Sequence, residues 1–489
     1  MQDRRRLTTE EKALKINLNS DIYGSFSEIG AGQEVAANFF RAGGSSGTIA
    51  FASSAYDMKV SDSIYGKAKR YVCEERLLTM LNKEFEMLTT SLESRKEHTR
   101  FFTFCNTVES LNYHKTNQGQ GWVGLRFQVN PDTKPNNIIL HVKMHDQSNT
   151  AQQEALGILG VNLVYAAYFH ATGELDYFIN SLVHHLPKDR MEIDMLHVEG
   201  PDFEHIDNRI IALNLVKRGI TEATMFDQTG KVLQPASKLY KKNILLMRGR
   251  FRPVTKVNID MLNSARGKFY EEEGVEKKDV REIFELTLRD LTSGGQISDK
   301  DFVDRAELLG ALGYTVMISN YLRYYEMVDY LSEITKGYKM AIILGIYNIH
   351  NIFDEKYYTH LSGGLLEAFG KGFGRNAKLY IYPAIDYNNG ELYEFKNVVV
   401  PEHLKGLLTY MKDNNKIEAL TEFDYNLLQI SADEVLAKIT RHEEDDTWDN
   451  DVPYRVAKAI KFMRLFGYTP KVEPEELKLS KEINYKISG

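Results

Sequence analysis

Cysteine and proline are scarce in this chain. Two cysteines, Cys73 and Cys105, occur among 489 residues, and 11 prolines are few for this length. Two cysteines cannot build a disulfide framework, so a reducing compartment fits better than a secreted one. The scarcity of proline and the lack of any long low-complexity tract indicate that most of the chain is folded.

Long apolar runs and excess positive charge are also lacking. The longest apolar run, residues 155–169, is too short to cross a bilayer, and we expect a buried helix there. Residues 1–21 are charged and show no apolar core of a secretory signal. A net charge of −7 argues against a general nucleic-acid binder, which needs a basic face. We therefore expect a cytoplasmic protein that binds neither membranes nor nucleic acids.

The composition otherwise indicates an ordinary globular protein of more than one domain. Apolar residues make up 43% and charged residues 26% of the chain, which is too long for a single core. We predict four portions. They are an N-terminal α+β portion (1–150), a helical or mixed connecting portion (151–240), a Rossmann-like α/β domain (241–430) and a charged helical tail (431–489).

The C-terminal half alternates between apolar strands and helices. Four apolar runs are expected to be strands, and helical patterns follow them: 243–249, 314–320, 340–346 and 378–384. Continuous apolar strands alternating with helices are typical of a parallel sheet that is covered on both faces. The predicted fold class is therefore α/β, with a Rossmann-like parallel sheet in the C-terminal half and an N-terminal α+β portion.

A basic loop, "RGRFRPVTK", follows the first of these strands. In an open parallel sheet, ligands bind beyond the carboxyl ends of the strands, where helix N-termini attract anions. Arginine side chains suit phosphate or carboxylate groups. The predicted substrate-binding residues of this loop are Arg248, Gly249, Arg250, Arg252 and Lys256. The alternative is a solvated basic loop that pairs with acidic neighbours.

The same loop resembles the opening motif of the nucleotidyltransferases that make dinucleotides, G-x-F-x-P-x-H/T-x-G-H. The matching residues are Gly249, Phe251, Pro253 and Thr255. The chain departs from the motif at Val257, where glycine is usual, and at Asn258, where a histidine stabilises the transferring phosphate. The resemblance implies adenylyl transfer from ATP with Mg²⁺, in which Thr255 and Asn258 are the catalytic contacts to the reacting phosphate.

The whole chain also resembles a bacterial family whose members carry several labels, among them nicotinate-nucleotide adenylyltransferase. The segments that carry this resemblance are "SEIGAGQEVA", "SAYDM", "QQEALGILGVNL" and "RGRFRPVT". The adenylyltransferase label implies an enzyme that acts on a nucleotide, whereas the resemblance to the family implies no particular chemistry by itself. The basic loop predicts that the partner is a phosphorylated or otherwise anionic small molecule.

A different phosphate-binding motif ends the second apolar strand. Ser319 and Asn320 resemble the Ser/Thr–Asn motif of haloacid-dehalogenase-like phosphatases, in which the hydroxyl binds phosphate, so both are candidate substrate contacts. The nearest match to the nucleophile motif of that family is Asp227 with Gly230. An ordinary Asp-x-x-Gly turn explains this second match equally well.

Two further features allow alternatives. The glycine-rich segment around Gly30 and Gly32 suits either a phosphate loop or a tight, closely packed turn. The 28 tyrosines are compatible with subunit interfaces. The rival interpretation is thus a non-catalytic, self-assembling homo-oligomer with a degenerate nucleotide-binding fold.

Overall fold

The computed structural model describes residues 6–292, 295–386, 389–441 and 447–469. The chain divides into two compact units. The N-terminal unit comprises Met1–Thr224 and Val232–Gln234, and the C-terminal unit comprises Met225–Lys231 and Pro235–Gly489. Residues 151–224, the larger part of the predicted connecting portion (151–240), contribute helices and a strand to the N-terminal unit.

The N-terminal unit is built on a six-stranded mixed sheet. Its strands are β1 (Ile22–Ile29), β2 (Ile49–Ser53), β3 (Arg100–Glu109), β4 (Gly119–Phe127), β5 (Asn136–Met144) and β6 (Met191–Glu199). Its helices are α1 (Thr9–Asn17), α2 (Glu34–Ala42), α3 (Met58–Tyr65), α4 (Glu74–Ser91), α5 (Asn149–Phe169), α6 (Leu175–Leu182) and α7 (Asn208–Lys217). The strand order is β2-β1-β3-β4-β5-β6, with β1 parallel to β2 and β3 and the remaining pairs antiparallel.

Neighbouring residues of β3 show how this sheet is covered on both faces. Phe102 belongs to the main core, into which α1, α2, α5 and α6 also pack, whereas Phe101 packs against Phe85 and Leu88 of α4. Successive side chains of a strand point to opposite faces, so α4 lies on the face opposite to α1, α2, α5 and α6. The apolar run at 155–169 lies inside α5, which confirms the expected buried helix.

The C-terminal unit contains the parallel sheet that the sequence predicted. The chain passes into it through β7 (Ala223–Phe226) and α8 (Pro235–Leu239), and the two-residue β8 (Val232–Leu233) between them belongs to the N-terminal unit. The strands that follow are β9 (Asn243–Arg248), β10 (Val280–Thr287), β11 (Thr315–Ser319), β12 (Met340–Gly345), β13 (Ala377–Tyr382), β14 (Ala384–Ile385), β15 (Leu392–Tyr393) and β16 (Ile417–Ala419). The helices are α9 (Lys256–Tyr270), α10 (Leu288–Thr292), α11 (Asp299–Ala311), α12 (Tyr324–Thr335), α13 (Asn348–Ile352), α14 (Gly364–Phe373), α15 (Lys405–Asp413), α16 (Ala432–Arg441) and α17 (Tyr454–Met463).

The strand order of this sheet is β16-β13-β12-β9-β10-β11-β7, with β8 paired to β7. The six strands from β16 to β11 are all parallel. Numbered from β9 along the chain, they follow the order 3-2-1-4-5-6 of the Rossmann fold. The predicted fold class is confirmed, and the four strands expected from apolar runs are β9, β11, β12 and β13.

The direction of chain progression reverses between β9 and β12. From β9 the chain moves through β10 to β11 on one side, and from β12 it moves through β13 to β16 on the other. Such a switch point leaves a crevice beyond the carboxyl ends of the two strands, because their connections run to opposite sides. The fold itself therefore places a candidate site at the ends of β9 and β12.

Candidate functional site

A cavity of about 240 Å³ lies at the carboxyl edge of the parallel sheet in the C-terminal unit. Residues at or after the ends of β9, β10, β11 and β12 all contribute to its wall. The lining residues are Arg248, Thr287, Arg289, Asp290, Leu322, Arg323, Tyr324, Asn348, Asn351, Ile352, Tyr357 and Tyr358. The cavity therefore occupies the crevice that the strand order creates.

Arg248 is fixed in the wall of the cavity by a buried ion pair. Its Nε and Nη2 atoms donate to the two carboxylate oxygens of Glu285 at 2.7 and 2.8 Å, and its guanidinium lies 4.7 Å from the centre of the Tyr324 ring. Burial alone would lower the pKa of Arg248, but Glu285 outweighs this effect and the pKa is raised. The Ser319 hydroxyl also donates to Glu285. Glu285 thus links two of the predicted site residues and neutralises Arg248.

Arg289 and Arg323 supply the remaining positive charge of the cavity. Arg289 is exposed on α10, while Arg323 precedes α12 and donates from Nε to the Tyr357 carbonyl at 3.2 Å. Across the described residues, no carboxylate lies within ion-pair distance of either guanidinium. Both arginines are therefore available to an anion that enters the cavity.

Asp290 is the acidic member of the cavity wall in the described part of the chain. Its carboxylate accepts a hydrogen bond of 2.6 Å from the Thr287 hydroxyl, and its backbone N–H donates back to that hydroxyl at 3.1 Å. These bonds fix both oxygen-bearing groups at the end of β10. Within the described ranges, the cavity included, no group of three or more His, Cys, Asp or Glu side chains could hold a metal ion.

Amides and tyrosines form the uncharged part of the wall. Asn348 and Asn351 are exposed and lie three residues apart on α13, so their side chains share one face of the helix. Burial raises the pKa of Tyr324 and of Tyr358 to about 12. Both phenols are therefore protonated at neutral pH. The cavity combines cations with neutral groups that can donate and accept hydrogen bonds.

The arginines of the predicted loop beyond Arg248 form ion pairs outside the cavity. Arg250 pairs with Asp433 at 2.9 Å, and Arg252 pairs with Asp301, as the alternative of a basic loop with acidic neighbours predicts. Neither arginine belongs to the cavity wall. Gly249 precedes Phe251, whose ring packs against Phe284 at 5.0 Å between ring centres.

The N-terminus of α9 is covered by the C-terminal part of the chain. The Lys256 backbone N–H donates to the Asp451 carbonyl at 2.9 Å. The Thr255 side chain is buried, and the Asn258 carboxamide oxygen accepts from the Thr255 N–H at 2.9 Å and from its hydroxyl at 3.2 Å. Thr255 and Asn258 therefore cap the helix, and their catalytic role stays a prediction.

The second phosphate-binding motif is divided between two environments. Ser319 is buried and donates to Glu285, whereas Asn320 is exposed in the loop after β11. Asp227 accepts hydrogen bonds from the N–H and hydroxyl of Thr229 and from the N–H of Lys231, at 2.6–3.2 Å. These bonds are those that the Asp-x-x-Gly turn predicts.

In the N-terminal unit, the glycine-rich segment forms a closely packed turn. A Cβ atom at Gly30 would lie 1.8 Å from the Val108 carbonyl oxygen. The buried Glu28 carboxylate accepts from the backbone N–H groups of Val35 and Ala36 in the first turn of α2. Burial raises the pKa of Glu28 to about 7. The protein's own carboxylate thus occupies the place that a phosphate would take.

Several cavity residues escaped the sequence analysis. They are Thr287, Arg289, Asp290, Arg323, Asn348 and Asn351. Each comes within about six residues of the end of a parallel strand, which is the signal that identified Arg248. Recognition of β10 as a strand would have added Thr287, Arg289 and Asp290.

Comparisons with known proteins give distant structural likenesses. The chain matches no family model and no curated protein sequence. A competence/damage inducible protein, CihA, from Agrobacterium tumefaciens is 18% identical, with a TM-score of 0.25, and the match covers 33% of this chain and 98% of that one. A CinA superfamily protein from Enterobacter cloacae is 9% identical, with a TM-score of 0.26 and coverage of 34% and 96%.

A nicotinic acid mononucleotide adenylyltransferase from Plasmodium falciparum is also similar. It is 13% identical, with a TM-score of 0.27, and the match covers 47% of this chain and 98% of that chain. Likenesses at these TM-scores carry no functional argument. The described residues, for their part, contain no helix that is long and apolar enough to cross a membrane.

Proposed function

We propose that the C-terminal unit binds a nucleotide or another phosphorylated small molecule in the cavity at the carboxyl edge of its parallel sheet. The observation that carries this proposal is the convergence of Arg248, Arg289 and Arg323, from three successive strand ends, on one cavity at the switch point. Guanidinium groups bind phosphate through charge-assisted hydrogen bonds. The strand order supports the same position, since ligands of such sheets bind in this crevice.

Adenylyl transfer is the more specific hypothesis, and it comes from the sequence motif. Magnesium ions in phosphoryl-transfer sites are held by one or two carboxylates together with ligand phosphates. In this cavity the Asp290 carboxylate and the Thr287 hydroxyl are the groups that would hold Mg²⁺. Thr255 and Asn258 stay the predicted contacts to the reacting phosphate. An assay of pyrophosphate release from ATP and nicotinate mononucleotide separates an enzyme from a binding protein.

Thermal shift on the full chain tests the binding proposal. The compounds are ATP, nicotinate mononucleotide, NAD and inorganic phosphate, each with and without Mg²⁺, because a ligand of the folded state raises the melting temperature. At least one of the organic phosphates should shift the wild type, and Arg323→Gln should lose that shift. The matched control is Arg281→Gln, since Arg281 lies at the amino end of β10, outside the cavity wall. The absence of a shift with every compound would overturn the proposal.

A further inference from the structure

We propose that the cavity selects a small phosphomonoester over nucleoside diphosphates and triphosphates. This inference rests on the proposed binding function, narrows it to one ligand class and is an alternative to the adenylyl-transfer hypothesis, which requires ATP in the same cavity. It draws on the charge of the cavity wall, on its volume and on the position of its amide groups. The ligand is a monophosphate ester whose other end carries hydrogen-bonding groups, as a sugar or a nucleoside does.

The charge of the wall matches a single phosphate group. Glu285 neutralises Arg248 through two hydrogen bonds, so Arg289 and Arg323 are the cations left for a ligand. A phosphomonoester carries about −1.5 to −2 charges at neutral pH, which two arginines can match. The next charged group of the wall is the Asp290 carboxylate, which repels any additional phosphate. The additional phosphates of a nucleoside diphosphate or triphosphate would thus lose water in the cavity and find no cation there to pair with.

The volume of the cavity points to the same class. At about 240 Å³, it lies below the roughly 300–1,000 Å³ of pockets that hold drug-sized ligands. A cavity of this size favours a small ligand, such as a sugar phosphate or a mononucleotide, over a larger one.

Two amide groups line the cavity together with the unpaired cations. Asn348 and Asn351 follow β12, whereas Arg289 and Arg323 follow β10 and β11. Arg323 extends to the β12 end of the cavity, because its Nε donates to the carbonyl of Tyr357, which also follows β12. A carboxamide both donates and accepts hydrogen bonds, so this end suits hydroxyl groups or the polar edge of a ring.

Calorimetric titration of the full chain with adenosine, AMP, ADP and ATP tests the inference, because this series varies charge on a constant nucleoside. Ribose 5-phosphate and inorganic phosphate complete the set, and each titration is run with and without Mg²⁺. AMP or ribose 5-phosphate should bind at least roughly ten-fold more tightly than ATP, adenosine or inorganic phosphate. Asp290→Asn removes the repelling carboxylate. In this variant, the ratio between the dissociation constants of ATP and AMP should be smaller than in the wild type.

The outcomes separate the two proposals. If ATP binds as tightly as AMP and ribose 5-phosphate in either condition, the monoester inference is overturned while the binding proposal stands. If inorganic phosphate binds as tightly as both esters, the cavity does not recognise the sugar or nucleoside of the ester, and the inference of an organic monoester is contradicted. If no phosphorylated compound binds, both proposals fail. The comparison among ligands uses the wild type alone, so it holds even where Asp290→Asn does not fold.

Discussion

Arg248 and Glu285 lie directly opposite each other in the parallel register of β9 and β10 and form a buried bidentate ion pair. The Glu285 side chain is fully buried, and 8% of the Arg248 side chain is exposed. The Ser319 hydroxyl from β11 donates to the same carboxylate, so three adjacent strands are tied together at the edge of the cavity. This arrangement fixes the Arg248 guanidinium in the wall of the proposed site.

Removal of the Glu285 charge should destabilise the C-terminal unit. Glu285→Gln leaves Arg248 buried without a counter-charge, and such a loss costs about 3–5 kcal/mol of the free energy of unfolding. The protein has two tryptophans, Trp122 in the N-terminal unit and Trp448 in the C-terminal unit. Urea unfolding in a Trp122→Phe background, followed by fluorescence, therefore reports on the C-terminal unit.

Glu282→Gln is the matched control for this measurement. Glu282 lies on the same strand and pairs with Arg266, but 29% of the Arg266 side chain is exposed. Partly exposed pairs contribute about 0–1 kcal/mol. Equal effects of the two substitutions would contradict the structural role of Glu285.

Gly30→Ala should destabilise the N-terminal unit far more than Gly43→Ala. Both glycines have positive φ angles, of +103° and +80°, which cost another residue about 1–2 kcal/mol. A Cβ at Gly30 also meets the Val108 carbonyl oxygen, whereas a Cβ at Gly43 has no described atom within 4 Å. Overpacking at Gly30 should add about 1–3 kcal/mol or more. Urea unfolding in a Trp448→Phe background measures both variants, and similar losses would contradict the close turn.

Lys12 should make the stability of the N-terminal unit rise with pH between about 8 and 10.5. Burial lowers the pKa of Lys12 from 10.5 to about 8. Its Nζ lies 2.7 Å from the Asn162 carboxamide oxygen. In this pH window the unfolded chain binds more protons than the folded one, so deprotonation favours folding. Below pH 8 the lysine is protonated in both states, and its contribution is constant.

The difference in unfolding free energy between wild type and Lys12→Met isolates this effect, because the other titrating groups cancel. The free energy of unfolding of the wild type should rise relative to that of Lys12→Met from pH 8 to pH 10.5. Lys15→Met is the control, since Lys15 lies exposed on the same helix. A difference that does not vary with pH would show that Lys12 titrates normally in the folded state.

The apolar runs predicted most strands of the parallel sheet, whereas strands that contain polar or small residues were missed. β10 was missed because Glu282 and Glu285 interrupt its apolar pattern, although Glu285 is fully buried. Its carboxylate is tolerated there only with Arg248, a partner 37 residues away. β1 of the N-terminal sheet was missed as well, because it contains Gly24 and neighbouring serines, which are residue types common in loops. A Cβ at Gly24 would lie 2.4 Å from the Phe102 ring.

The site could be predicted to within its sheet edge but not residue by residue. Arg248 follows an apolar strand, and that position alone led to the cavity. Arg250 and Arg252 looked equivalent in the sequence, yet they pair with Asp433 and Asp301, which are 183 and 49 residues away. Such distant partners leave no local pattern. Position after a parallel strand was thus the informative signal, and the density of arginines was not.

Two charge-matched double variants test the central claim most directly. One removes the cavity cations, Arg289→Gln with Arg323→Gln, and the other removes the loop cations, Arg250→Gln with Arg252→Gln. The measurement is the dissociation constant of the tightest-binding phosphorylated compound of the thermal-shift set. Charge-assisted hydrogen bonds contribute about 1.5–3 kcal/mol each, or about 3–6 kcal/mol for the two arginines, so the cavity variant should bind at least roughly 100-fold more weakly, and the loop variant should bind like the wild type. Lost binding in the loop variant with unchanged binding in the cavity variant would contradict the account and return the anion site to the loop.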